Sequence, residues 1–254
     1  MMSIDLPPAF ITALRTLTIL PVSGRDASVP ADALSWFPAA GAVVGLVLWF
    51  VQAILGAFCP GVPPSIAAVA VLLASVLLTR GLHLDGLADW ADASWGGWTP
   101  ARRLEIMKDP SLGTFGTLAL ILVLLAKWSA ICVLIEADAP VWVILACILS
   151  RTVQADLAVC FPYARPEGGT GAAFVNQATG IHRRNAFLAA FLFTLVLGVF
   201  TLRPFVLGVF ALAAGRIFGH SCSKAFGGIT GDILGAGNEI AETLVLILAA
   251  ALVS

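Results

Sequence analysis

The run RGLHLDGLADWADASWGG, residues 80–97, gathers Arg80, His83 and three aspartates in a chain that is 59% hydrophobic and 11% charged. Asp85, Asp89 and Asp92 stand at i, i+4 and i+7. At about 100° per residue these offsets return to within about 60° of one another, so on a helix they form one acidic stripe. Three like charges on one face repel, and no lysine at i+4 relieves them. Hard oxygen ligands of this kind suit Mg²⁺, which usually binds through a few carboxylates together with substrate phosphates. A solvated helix end with ordinary surface aspartates is the alternative, and the metal reading is preferred.

Three further polar segments accompany the stripe. In TPARRLEIMKDPSLGTFG (99–116), Thr99 as N-cap and Pro100 at the first helical position predict a short helix that ends at Asp109, before Pro110. Its Arg102, Arg103 and Lys108 set a basic surface beside the acidic one, where a phosphate would sit between metal and cations. Anchoring by positive charge explains Arg102 and Arg103 equally well. YARPEGGTGAAF (163–174) is glycine-rich and carries Arg165 and Glu167. It lacks the ending of a phosphate-binding P-loop and reads as a lid or as a linker. In GGITGDILGAGNEIAE (227–242), Gly227, Gly231 and Gly235 predict close helix packing. Packing alone does not account for Asp232, Asn238, Glu239 and Glu242, which are expected to complete the polar site. Trp90, Trp95 and Trp98 read first as interfacial anchors and second as a stacking surface.

The elements that must position these residues are membrane helices. A mean hydropathy of +0.98 lies far outside the soluble range. Ala33–Thr79 is uncharged for 47 residues and is broken only by CPGVPP, which reads as two spans and a tight turn. Further apolar stretches at about 112–135, 139–161, 186–202, 204–223 and 238–253 bring the expectation to six or seven spans in an all-α polytopic protein. Met1–Pro21 has the pattern of an amphipathic interfacial helix rather than a cleaved leader. Ten of the fourteen Lys and Arg fall in segments on one side of these spans, and the positive-inside rule makes that side cytoplasmic. Residues 80–110, 162–185 and 224–238 are then expected to face the cytoplasm. Lys127, Arg151, Asp156 and Arg216 lie within spans, where each ionisable group costs on the order of 2.5–3.5 kcal/mol. They are expected to pair across helices, or failing that to line a hydrated cavity. The five scattered cysteines show no metal spacing and read as small apolar fillers.

LHLDGLADWADASWGG followed by RRLEIMKDPSLGTFG, YARPEGGTG and GGITGDILGAGNEIAE closely resembles the cobalamin synthase family, the adenosylcobinamide-GDP ribazoletransferases. AFITALRTLTILPV and SWFPAAGAVVGLVLWF near the start extend the resemblance over essentially the whole chain, leaving a single integral membrane catalytic domain, 1–254. Where the family often reads DT-x-DG, this chain has Asp89-Trp90-Ala91-Asp92-Ala93, which keeps the carboxylates. The resemblance implies a reaction of adenosylcobinamide-GDP with α-ribazole or its 5′-phosphate, requiring Mg²⁺, that gives adenosylcobalamin or its phosphate and GMP. It implies a location in the bacterial inner membrane with the site facing the cytoplasm. On this basis Asp85, Asp89 and Asp92 are expected to hold Mg²⁺, with Lys108 and Arg165 on phosphate oxygens. Arg80, Arg102, Asp109, Asp232, Asn238 and Glu239 are expected to contact substrate. His83 or one of the aspartates is expected to act as general base, whereas His182 and His220 are expected to be structural. The partners expected are the two substrates and the lipid bilayer, and no nucleic acid; contacts with other late enzymes of the pathway and a homo-oligomeric state are left open. Two rivals compete with this reading. A CDP-alcohol phosphotransferase requires Ala and Arg where Asp89 and Trp90 stand. A secondary transporter using Arg151, Asp156 and Arg216 leaves the acidic stripe without a task.

Overall fold

The computed structural model describes residues 6–197 and 201–253. Residues 1–5 of the expected N-terminal helix, and 198–200 of the expected span 186–202, lie outside them. Among the described residues all regular structure is helical, and β pairing is confined to one isolated bridge between Tyr163 and Ile229. In chain order the elements are α1 (Pro8–Leu17), a 3-10 segment (Pro30–Trp36), α2 (Phe37–Phe58), α3 (Pro64–Thr79), α4 (Leu82–Gly96) and α5 (Pro100–Ile106). There follow α6 (Thr114–Glu136), α7 (Val141–Cys160), the single turn α8 (Ala172–Val175), α9 (Gly180–Val196), α10 (Arg203–Phe226) and α11 (Gly231–Val253).

Five of these are long and apolar enough to cross a bilayer, and α3, which passes the same test only together with the sharply bent α4, brings the number up to six. The count agrees with the lower end of the expectation. α9, at 17 residues, is somewhat short of the roughly 20 that span the hydrocarbon core. α7 is the central helix. Its residues 142–158 are all buried, and α2, α9, α10 and α11 pack around it. Gly41 and Gly45 let α2 lie directly on α7, since a Cβ at Gly45 would fall 2.6 Å from the Ile144 Cα. The outward faces of α2, α6 and α10 carry exposed Phe50, Leu122 and Val209, the apolar surface that lipid requires.

Two features bear on the site. Successive long helices alternate in direction, so α4, α5, the loop 161–179 and the turn 227–230 gather at one end of the bundle. The α3–α4 junction bends by 88° at Arg80 and Gly81, both in the left-handed region with φ of 57° and 65°. α4, which carries the polar residues beyond the apolar run 64–79, therefore turns away from α3 and packs along the first turns of α11 and against the start of α6. α1 is amphipathic as expected. Its buried Ile11, Leu14 and Leu17 lie against the 3-10 segment and α2, and Arg15 ties it down through Asp26 at 2.7 Å and the carbonyls of Val22 and Gly24.

Candidate active site

α4 approaches α11 at backbone contact. A Cβ at Gly86 would sit 2.6 Å from the Asp232 carbonyl oxygen, and one at Gly235 would sit 3.2 Å from the His83 Cα. Gly86 and Gly235 thus bring the Asp232 end of α11 to the acidic face of α4; of the predicted packing motif only Gly235 meets α4, since Gly231 faces Gly171 of the loop and Gly227, at φ 79°, ends α10 in open space. Asp89 is half-buried, and its carboxyl is pushed up to about 7 by burial and by the neighbouring charges of Asp232, Asp85 and Asp92, against a smaller opposing effect of Arg165. The carboxylates crowd one another without enough positive charge to balance them.

Asp92 is committed elsewhere. Its two oxygens accept the backbone N–H groups of Gly113 and Gly116, both at 2.8 Å. No side chain at the N-cap position, Gly113, serves the start of α6, so a carboxylate from α4 does so at the positive end of the helix dipole. The expected trio of ligands is thereby divided: Asp85 and Asp89 face Asp232, while Asp92 caps a helix. Among the described residues no three His, Cys, Asp or Glu side chains form a metal cluster of their own. Asp85, Asp89 and Asp232 offer the hard oxygens that Mg²⁺ prefers, but as they stand they are not gathered into a three-carboxylate site and would hold the ion only together with phosphate and water.

The cations divide as well. Arg165 reaches in from the glycine-rich loop, pairs with Asp232 at 3.1 Å and keeps a buried Nε without a partner. The loop is held there by paired backbone bonds, Ala164 N–H to Ile229 O and Ile229 N–H to Pro162 O, both 2.8 Å. Gly228 permits this approach, since a Cβ there would lie 2.5 Å from the Pro162 carbonyl oxygen. Lys108 bonds Glu167 at 2.6 Å, both half-exposed, joining the end of α5 to the same loop; that contact holds the Glu167 carboxyl below its usual range. Arg80 has no ion-pair partner among the described residues and borders a cavity of about 650 Å³ with Asp85, Asp89 and Ser111.

Other expected contacts turn away from this site. Arg102 makes an exposed pair with Glu105 one turn on. Arg103 straps α5 to the end of α10, donating to the carbonyls of Gly97 and Ala225 at 2.9 and 3.0 Å and lying over Phe226. Asp109 is exposed and accepts the Ser111 N–H at 2.9 Å, closing the turn into α6. Glu239 faces Lys127 at 2.6 Å, and Lys127 also bonds Glu242 at 2.8 Å, to which Arg151 pairs. Asp156 pairs with Arg216. The intramembrane charges therefore pair across helices, as their cost in hydrocarbon requires.

His83 is 2% exposed, with the Asn238 amide 3.2 Å from Nδ1 and the Gln154 amide 3.4 Å from Nε2. Both ring nitrogens are engaged by core amides, an environment that the local sequence did not convey. His182 caps its own helix through Thr179 and meets Asp32 at 3.2 Å, a structural role as expected. Trp90 packs edge-on against Phe218 and Trp95, whereas Trp98 is 90% exposed. The five cysteines are free thiols.

A second cavity, of about 260 Å³, lies on the other side of α4. Leu17, Leu34, Phe37 and Phe174 line it together with the polar side chains of Thr16, His83, Asp85, Gln154, Thr170 and Asp232. Asp85 borders both cavities. Sequence reasoning missed this second chamber and Gln154. The available signal was a lone amide in an apolar helix, which gives no hint of its orientation. Asp92 left a clearer trace, a helix start at Gly113-Thr114-Phe115-Gly116 without a capping side chain of its own.

The family model described as cobalamin-5-phosphate synthase matches residues 9–250. Among curated relatives, the adenosylcobinamide-GDP ribazoletransferase of Chlorobaculum tepidum is 46% identical over 242 residues, covering 94% of each chain. That of Chlorobium chlorochromatii is 43% identical over 96% of each. That of Syntrophobacter fumaroxidans is 42% identical over 95% of this chain and 97% of its own. No solved structure matches.

Proposed function

The chain belongs to the cobalamin-5-phosphate synthase family and has its adenosylcobinamide-GDP ribazoletransferase activity, and on that premise we propose where and how the transfer takes place. The observation that carries the proposal is the meeting of two cavities at Asp85, where the carboxylates of α4 face Asp232. A transferase with two bulky substrates needs two chambers that open on one reacting point. The diphosphate of adenosylcobinamide-GDP lies along Arg80 and Arg165, and α-ribazole or its 5′-phosphate enters from the opposite side.

A ribose hydroxyl of ribazole forms a bond to the phosphorus that carries the cobinamide arm, and the bond from that phosphorus to GMP breaks. Asp85, open to both cavities, takes the hydroxyl proton at a carboxylate oxygen. Arg165 supports the non-bridging oxygens from the loop, and Lys108 helps to hold that loop over the substrate. Bound through Asp85, Asp89 and Asp232, Mg²⁺ would neutralise negative charge on the diphosphate. Catalysis consists chiefly of alignment and charge stabilisation, which is what phosphoryl transfer demands of a protein. Residues 1–254 act as one catalytic domain in the bacterial inner membrane, with α4 and the loop 161–179 on the cytoplasmic side, where the Lys and Arg are concentrated.

The test is GMP release by purified protein in liposomes supplied with adenosylcobinamide-GDP, α-ribazole and Mg²⁺. Turnover is expected with this pair and is expected to fall at least a hundredfold in Asp85→Asn and Asp232→Asn. Undiminished turnover in both variants would move the reaction away from this end of α4.

A further inference from the structure

Leu34 and Phe37 face the 260 Å³ cavity, whereas Ser35 and Trp36 between them face a separate hollow, a groove of about 440 Å³ against α9. Along α9 its wall is Asn185, Leu188, Leu192 and Val196. These stand at i, i+3, i+7 and i+11, one stripe of the helix, and the three apolar ones are exposed. Ala39 and Ala189 hollow the groove, leaving room that larger side chains would fill. From Asn185 to Val196 is about 16 Å at 1.5 Å per residue, the depth of one leaflet of a hydrocarbon core about 30 Å thick. A groove of this volume and length is too slim to seat a helix, which is about 10–12 Å across with its side chains. It admits a hydrocarbon chain lying along α9.

Ser35 and Asn185 put polar groups at one end of the groove. This is the polar end of the bundle, where His182 meets Asp32 at 3.2 Å and so sets the start of α9 beside the 3-10 segment. Arg184, one turn before Leu188 on the same face, is exposed and bonds the side-chain oxygen of Asn185 at 3.4 Å. Arg183 meets the Cys160 sulfur at 3.4 Å. Among the described residues neither arginine has a carboxylate within ion-pair distance, and Asp32, the acid on the 3-10 segment, is engaged by His182. Trp36, braced by Phe10 at 5.4 Å, supplies the aromatic ring that suits the headgroup level. A guanidinium fork matches phosphate oxygens, and two positive charges that no carboxylate offsets favour a headgroup of net negative charge over a zwitterionic one. We propose that this groove binds an anionic phospholipid, with one acyl chain along Leu188, Leu192 and Val196 and the phosphate on Arg184 beside Asn185 and Ser35. None of these residues takes part in the reaction described above, so the site stands independently of it.

Native mass spectrometry of the protein released from detergent micelles counts the lipids that stay bound. With phosphatidylglycerol and phosphatidylcholine of identical chains offered in turn, one phosphatidylglycerol is expected to bind about fivefold more tightly, equivalent to the roughly 1 kcal/mol of one basic residue at an anionic surface. Arg184→Gln is expected to abolish that preference. Arg102→Gln, which removes another exposed arginine at the same end of the bundle, is expected to keep it. Ala189→Phe, which fills the groove, is expected to lose the bound lipid. Equal retention of the two lipids by the wild type overturns the proposal even if no variant folds. So does a preference that survives Arg184→Gln, one that Arg102→Gln removes as well, or a folded Ala189→Phe that keeps the lipid. A dimer whose formation excludes the lipid would give the groove to a second copy of the chain and overturn the proposal too.

Discussion

Two aspartates three residues apart on α4 carry opposite expectations. Asp89 sits among Asp85, Asp92 and Asp232, where burial first and repulsion second oppose its ionisation, so Asp89→Asn removes a destabilising charge. This variant is expected to melt at or above the wild-type temperature without Mg²⁺, to gain less stability from added Mg²⁺ and to lose turnover. Asp92 accepts two backbone bonds at the start of α6, so Asp92→Ala is expected to cost about 0.5–2 kcal/mol, the range for lost caps, while keeping the wild-type Mg²⁺ shift. Thermal melting of both variants with and without Mg²⁺ separates a charge held for a cation from a charge held for a helix. Arg165→Ala is expected to lower kcat/KM at least tenfold, about 1.4 kcal/mol of transition-state stabilisation. The half-exposed Lys108–Glu167 pair contributes at most about 1 kcal/mol to stability, so any larger kinetic loss in Lys108→Ala reports contact with substrate.

At the scale of elements, the site depends on how closely α4 lies on α11. A Cβ at Gly86 would meet backbone of Asp232 rather than a side chain that can move. Gly86→Ala is therefore expected to displace α4, to cost about 1–3 kcal/mol and to depress GMP release strongly. Gly56→Ala provides the contrast: it is a helical glycine on α2 with open space around it, and its substitution is expected to leave stability unchanged or raise it by up to about 1 kcal/mol. Deeper in the bundle, Lys127 balances Glu239 and Glu242 between α6 and α11. Lys127→Met strands a carboxylate and is expected to cost about 3–5 kcal/mol, read as reduced melting temperature or yield.

For the whole molecule, the concentration of polar segments at one end of the bundle makes orientation testable. In a background without native cysteines, Gly61→Cys on the α2–α3 turn is expected to react with an impermeant thiol reagent on intact cells. Glu105→Cys on α5 is expected to react only after lysis. The reverse pattern would invert the protein in the membrane and place the site outside.

How far all this was legible in the sequence depends on the range of the interaction concerned. Membrane spans, the short helix after Thr99 and the helical phase of the acidic stripe follow from hydropathy, capping and the 3.6-residue period, which are local properties. The pairing of intramembrane charges followed from the cost of leaving them unpaired, although the partners of Arg151 and Asp156 did not. Asp85, Asp89 and Asp92 share a helical face, and periodicity alone assigns them one task. Only the packing of α4 against α6, α7 and α11 gives Asp92 to Gly113 and Gly116, Asp85 and Asp89 to Asp232, and His83 to the core amides of Gln154 and Asn238. Periodicity tells which way a side chain points from its own axis, whereas its neighbour is fixed by the 88° bend at Arg80 and Gly81 and by glycines that let backbones touch. Those long-range contacts divided one acidic stripe into a helix cap and an uncompensated site, and enclosed a cavity around Gln154.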